Sequence, residues 1–233
     1  MRLSRRRALA AGGTALVAGL AGCSGSGGGG ADTGGQTSSG DPTLDDHPVG
    51  RDIGVQPRLG PPPGEATGTI VAFEDPSCPR CAAFERQTVP KIRSNLVDPG
   101  DATFVFRGVP IVYPWGDPAA RALEATYAES SDAFWALADH YFENQSAFRG
   151  QGTDAVLSMT ASFLDDETGL DGASVAEAVR AGEADAAVEA DLSASEDANV
   201  DSTPTVFLFR DGTVRTRARG SVSYDVVAGA LGL

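Results

Sequence analysis

The chain has 233 residues, with 18 Lys and Arg against 32 Asp and Glu and a formal net charge of -14. An acidic balance of that size disfavours nucleic-acid binding, because it repels a phosphate backbone. Only Lys91 among the basic residues is lysine, and aspartate outnumbers glutamate, a bias that predicts a protein working in concentrated salt, as in a halophilic archaeon.

Arg5, Arg6 and Arg7 precede an apolar, small-residue run over 8–22 that is too short to span a bilayer permanently, so residues 1–22 read as a signal peptide. Ser4-Arg5-Arg6-Arg7-Ala8-Leu9 resembles a twin-arginine export signal. Leu20-Ala21-Gly22-Cys23 resembles a lipobox, in which Cys23 carries lipid after cleavage. Residues 23–66 are rich in Gly, Ser, Thr, Asp and Pro and read as a flexible tether. The expected location is therefore outside the cell, at the outer face of the cytoplasmic membrane. One lipid chain anchors weakly, so a second attachment signal is expected. Residues 67–233 suit one domain with its own core.

Within that domain, Gly68-Thr69-Ile70-Val71-Ala72-Phe73 reads as a short buried strand. A helix follows over 78–95, opened by Pro79 in its first turn. Residues 102–107 alternate like a second strand. Asp117-Pro118 reads as an N-cap followed by proline at the first helical position. Ser131 is placed to cap the next helix, where Phe134, Leu137, Ala138, Tyr141 and Phe142 recur at core spacing and His140 falls on the surface. Further helices read over 154–164, from Ser174 with Glu177 as a capping box, and over 185–198. Strands at 205–209 and 213–216 flank Asp211-Gly212, a hairpin signal, and a last helix starts at Ser223. A block of helices thus interrupts a β-α-β unit and a β-β-α unit. Asn144-Gln145-Ser146 is a glycosylation sequon.

The chemistry concentrates at Cys78-Pro79-Arg80-Cys81, where the first strand gives way to its helix. Cys78 at a helix N-terminus meets unpaired amides and the positive end of the dipole, which stabilise the attacking thiolate. Cys81, one turn on, faces back into the protein as the resolving thiol. Arg80 is a secondary electrostatic contributor or a substrate contact, because molar salt shortens screening to roughly 3 Å. Two other readings are half a zinc site and a structural disulfide. Zinc needs two more ligands, and Cys23, His47 and His140 are scattered; a loop this short removes little chain entropy. With Cys23 assigned to lipid, Cys78 and Cys81 are the only remaining thiols. A Ser-His-Asp hydrolase has no positional support.

Three segments together resemble the DsbA-like branch of thioredoxin-fold thiol:disulfide oxidoreductases. Asp75-Pro76-Ser77-Cys78-Pro79-Arg80-Cys81 is similar to its active-site segment, Phe134-Trp135 to Asn144-Gln145 to its helical insertion, and Val200-Asp201-Ser202-Thr203-Pro204-Thr205 to its cis-proline loop. The resemblance implies an α/β, thioredoxin-like fold with a helical insertion. It also implies a cis Pro204 against the dithiol and a Thr203 backbone offered to an extended substrate. The family often carries a buried acid six residues before the first cysteine; here that position is Ala72, so either Glu74 or Asp75 substitutes, or water does the work.

The implied activity is exchange of the Cys78-Cys81 disulfide with cysteines of exported proteins, with no cofactor and no metal, as an oxidant that a membrane redox partner resets. Alternatives are a membrane-anchored reductant for cytochrome or copper-site maturation, an isomerase, and a non-catalytic lipoprotein that binds peptides or copper(I).

Overall fold

The computed structural model describes residues 41–233. The expected signal peptide, Cys23 and the first part of the expected tether lie outside the described residues.

Five strands form one sheet in the order β1-β3-β2-β4-β5. They are β1 (Arg58–Leu59), β2 (Gly68–Glu74), β3 (Ala102–Gly108), β4 (Thr205–Arg210) and β5 (Thr213–Arg219). β2 and β3 run parallel, while the other pairings are antiparallel. β2 and β3 are buried along their whole length, so both faces of the centre are covered and the period-2 alternation sorts residues between two cores. Ile70, Ala72, Phe104 and Leu208 pack on one face with Phe84, Ile92, Val227 and Leu231. Val71, Phe73, Val105 and Phe207 pack on the other with Ala194 and Val200.

The helices are α1 (Pro79–Gln87), α2 (Val89–Ile92), α3 (Gly116–Glu129), α4 (Ser131–Glu143), α5 (Gln145–Phe148), α6 (Thr153–Glu167), α7 (Gly172–Ala181), α8 (Asp185–Asp197) and α9 (Tyr224–Leu231). α3 to α7 form the insertion, around a third core of Leu123, Phe134, Leu137, Tyr141, Phe148 and Leu164. Cys78 and Cys81 belong to this third core, so the dithiol sits where the insertion meets the sheet. The mixed α/β, thioredoxin-like architecture with a helical insertion is as the sequence implied.

Local departures have local causes. The expected helix over 78–95 is broken at Thr88, and a π-type turn at Arg93–Val97 ends it. Pro90 lacks the N–H that would continue the ladder. α3 starts one residue before Asp117, which pairs with Arg121 instead of capping. Ser130, not Ser131, caps α4, its hydroxyl accepting from the Ala133 amide at 3.2 Å. Asp171 caps α7 and displaces the Ser174 box. The hairpin is as expected, with Asp211 at φ 50° and Gly212 at φ 73°. Ser223 precedes α9 as expected.

The tether expectation fails over residues 41–66. Leu44 and Val49 enter the second core, and the Leu44 amide donates to the Gly212 carbonyl at 2.7 Å. β1 pairs with β3, the Pro57 carbonyl accepts from the Phe106 amide at 2.9 Å, and the Pro61 carbonyl accepts from the Thr103 hydroxyl at 2.8 Å. The buried Arg107 guanidinium bonds both Asp191 at 2.6 Å and the Arg51 carbonyl, fastening this segment to α8. Averaged over 23–66, the composition conceals that its second half carries Leu44, Val49, Ile53, Val55 and Leu59.

Candidate active site

Cys78 is the N-cap of α1, in extended conformation, with Pro79 supplying the preset φ of the first turn. Cys78 is 4% exposed and Cys81 is fully buried; both are free thiols. Pro79 and Arg80 are exposed. The Thr203–Pro204 peptide bond is cis, and the Cys78 thiol donates to the Thr203 carbonyl at 3.3 Å. The loop before β4 is thus brought against the strand-helix junction, as the resemblance implied.

The Cys78 pKa is lowered to about 6. A hydrogen bond from the Cys81 thiol is the largest cause; burial opposes it, and Thr203 and the Cys81 and Arg80 amides add smaller help. This order puts the neighbouring thiol ahead of the helix amides, which were expected to dominate. Cys81 is displaced the other way, its pKa pushed well up by burial, then by Cys78 and by the negative charge of Glu74. One thiol is therefore poised to ionise and the other to stay protonated.

The two acids before the dithiol have separate tasks. Asp75 Oδ1 accepts from the Ser77 amide at 2.7 Å and the Ser77 hydroxyl at 2.6 Å, and Oδ2 accepts from the Ile111 and Val112 amides at 2.9 and 2.7 Å. The Ser77 hydroxyl also accepts from the Tyr113 amide at 3.0 Å. Asp75 is thus a structural hub that sews the dithiol loop to residues 109–115. Gly116 completes the join: a Cβ there would meet Asp75 Oδ1 at 2.6 Å and Ser77 Oγ at 2.8 Å. Ile111, Val112 and Tyr113 stay 48%, 40% and 41% exposed on the resulting edge.

Glu74 is fully buried, and its oxygens meet no hydrogen-bond donor among the described residues. Its pKa is raised, first by burial, then by the neighbouring Glu85 carboxyl and the Cys78 charge. Of the two candidates for the acid missing at Ala72, Glu74 is the one with unpartnered oxygens whose charge acts on Cys81.

Three contributors escaped sequence reasoning. Ser77 supports the loop as just described. Gln145, from α5, donates to the Pro76 and Cys78 carbonyls at 2.8 and 2.9 Å, a contact across 67 residues or more that no local pattern signals. Glu85 was legible from helical spacing, four residues after Cys81 on the same face. Of the two histidines, His47 packs on Phe207 and Phe209, and His140 stacks on Phe163 with centroids 4.0 Å apart.

A stretch of 81 residues is 30% identical to the probable disulfide bond formation protein D of Bacillus cereus, covering 35% of this chain and 38% of that protein. The chain therefore spans well under half the length of that curated relative. The fold is similar to that of oxidised BdbD from Bacillus subtilis, with a TM-score of 0.65 and 24% identity over 84% of this chain and 98% of the other. It is also similar to Chlamydia trachomatis DsbA, with a TM-score of 0.62 and 19% identity over 76% and 88%. A thioredoxin family model matches residues 57–220, from β1 through β5, and on that span, well over half its length, the chain belongs to the thioredoxin family.

Proposed function

We propose that the chain is an extracytoplasmic thiol:disulfide oxidoreductase that passes the Cys78-Cys81 disulfide to cysteines of exported proteins. The observation that carries this reading is the opposed tuning of two thiols one helical turn apart, with the Cys78 sulfur against the Thr203 carbonyl. A substrate thiolate attacks Cys78 Sγ, the Cys78-Cys81 bond breaks, and Cys81 leaves with the bonding pair and takes a proton, for which Glu74 is the acid at hand. A second substrate thiolate then attacks the substrate sulfur of the mixed disulfide, and Cys78 leaves as a thiolate. The substrate loses two electrons and gains a disulfide, and the protein gains the dithiol. A membrane redox partner then reoxidises it. The exposed edge of Ile111, Val112 and Tyr113 offers apolar contact to an extended substrate, and Thr203 offers its backbone.

The oxidising direction rests on two supports: the disulfide-bond-formation relative, and a Cys78 thiolate that is stable near neutrality and so favours the dithiol form. One observation favours the reductant reading. A pKa of about 6 stands closer to the roughly 7 of thioredoxin than to the roughly 3.5 of DsbA. The anchoring proposal is that Cys23 carries lipid and residues 24–40 tether the domain to the outer face of the membrane. A Cys23→Ser chain should then leave the membrane fraction.

Cys81→Ser tests the exchange itself. It should accumulate a mixed disulfide at Cys78 with cysteine peptides, seen by mass. Copper(I) retention without any trapped peptide would point to a binding lipoprotein instead.

A further inference from the structure

The rim of the dithiol is drawn from four segments. Residues 76–81 carry the thiols, and residues 109–115 join them where the Tyr113 amide donates to the Ser77 hydroxyl at 3.0 Å. Residues 144–152 join through Gln145, which donates to the Cys78 carbonyl at 2.9 Å, and residues 202–204 through the Thr203 carbonyl, 3.3 Å from Cys78 Sγ. In a chain with 32 acidic residues these four segments contain none, yet they contain two arginines, Arg80 and Arg149. Of the acids that border them, Asp75 is buried under four donors, and Asp117, Asp154 and Asp201 each pair with an arginine. Glu143 faces back along α4 to Asp139 and His140. The opening to Cys78 is therefore basic and apolar on an otherwise acidic protein.

Arg149 is held in place at this rim. It follows α5 one turn after Gln145, and its guanidinium lies over the Tyr113 ring, 5.8 Å from the centroid. Stacking uses the flat face of a guanidinium and leaves the N–H fork in its plane open to a carboxylate. Arg80 lies in the first turn of α1, two residues after Cys78. Both arginines are exposed, and neither side chain has a hydrogen-bond or carboxylate partner among the described residues. Cys78 owes its lowered pKa chiefly to the Cys81 thiol, Thr203 and backbone amides, so neither guanidinium is needed for the thiolate.

We propose that Arg149 and Arg80 select the substrate, favouring cysteines that have an aspartate or glutamate within two residues on either side. The inference rests on the exchange reading above and names the class of segment on which it acts. The exposed edge of Ile111 and Val112 is indifferent to charge, whereas an open guanidinium fork distinguishes a carboxylate from an ammonium beside the reacting cysteine. Extended chain advances about 3.3 Å per residue, so two residues span roughly 7 Å and keep the carboxylate close to the dithiol rim. Molar salt, with screening near roughly 3 Å, removes long-range steering and leaves direct contact pairs. The preference is therefore set by side chains adjoining the cysteine and not by the net charge of the substrate.

The test uses the oxidised full chain in molar salt and reduced two-cysteine peptides, alike except for Asp, Asn or Lys on both sides of the first cysteine. Each peptide gives up two electrons and two protons and becomes its disulfide as the chain becomes the dithiol, and quenched samples are read by mass. Each rate is divided by that of the same peptide with hydroxyethyl disulfide, which removes the effect of the neighbouring charge on the peptide's own thiol. Asp peptides should react about 5-fold faster than Lys peptides, with Asn between them. Arg149→Glu should remove the preference, Arg149→Lys should keep it, and Arg80→Gln should narrow it. Rates are compared between peptides within each variant, so a general loss of activity or stability leaves the ratio unmoved. Equal rates in wild type, or an Asp preference that Arg149→Glu leaves in place, would overturn the inference while exchange itself stands. A chain that oxidises none of the peptides would strike the exchange reading, and this inference with it.

Discussion

The Cys78 sulfur lies 3.3 Å from the Thr203 carbonyl oxygen, 125 residues away in sequence. The contact makes the loop before β4 part of the nucleophile's immediate surroundings. The Thr203 hydroxyl is buried with no hydrogen-bond partner among the described residues.

The first expectation concerns the thiolate. Because the Cys81 thiol is the largest cause of the lowered Cys78 pKa, Cys81→Ala should raise that pKa more than Cys81→Ser, which keeps a donor at the same place. Thr203→Val should raise it less than either. Alkylation rate of Cys78 against pH reads all three, and an unchanged profile in Cys81→Ala would leave the helix amides in charge.

Asp75→Asn replaces one acceptor oxygen with a donor that points at the N–H groups of Ser77 or of residues 111 and 112. Hydrogen bonds to a charged group contribute about 1.5 to 3 kcal/mol each, so a loss of about 3 kcal/mol or more is expected. Denaturant unfolding checks the magnitude, and limited proteolysis should show early cleavage within 109–115.

Gln145→Ala strands the Pro76 and Cys78 carbonyls, which now accept from its side-chain amide. The expected cost is about 1 to 2 kcal/mol, with faster hydrogen exchange in the first turn of α1. Equal exchange there in variant and wild type would show that α5 does not position the dithiol loop.

Stability should fall as pH rises from about 4.5 to about 8. Burial raises Glu85 to about 7 and Glu124 to about 8, and both bind protons more tightly folded than unfolded. Their stabilisation is complete below the unfolded value of 4.5 and is lost progressively up to the folded value. Melting temperature across that range at fixed molar salt measures the slope. Glu124→Gln should flatten it, most visibly between pH 7 and about 8, where Glu124 alone of the two still titrates.

How much of this was legible in the sequence depended on whether the signal was local. β2 and the Asp211-Gly212 hairpin were readable because an apolar, β-branched run and turn chemistry act within a few residues. The dithiol and Pro204 were readable as motifs. The caps at Ser130 and Asp171 were each missed by a few residues, since neighbouring polar side chains offered equivalent acceptors and only packing chose between them. The order in residues 41–66 came from Leu44, Val49 and Arg107, whose partners lie on β3, β5 and α8. Gln145 was out of reach for the same reason. Glu85 was within reach, and the spacing from Cys81 was the clue.

The most direct test of the central claim is the reduction potential of the Cys78-Cys81 pair, equilibrated with glutathione buffers in molar salt and read by mass after thiol trapping. An oxidant should equilibrate reversibly as a two-electron couple, at a value less negative than about -200 mV and towards the roughly -120 mV of DsbA. A value near about -270 mV, that of thioredoxin, or a pair that forms no disulfide at all, would contradict the account.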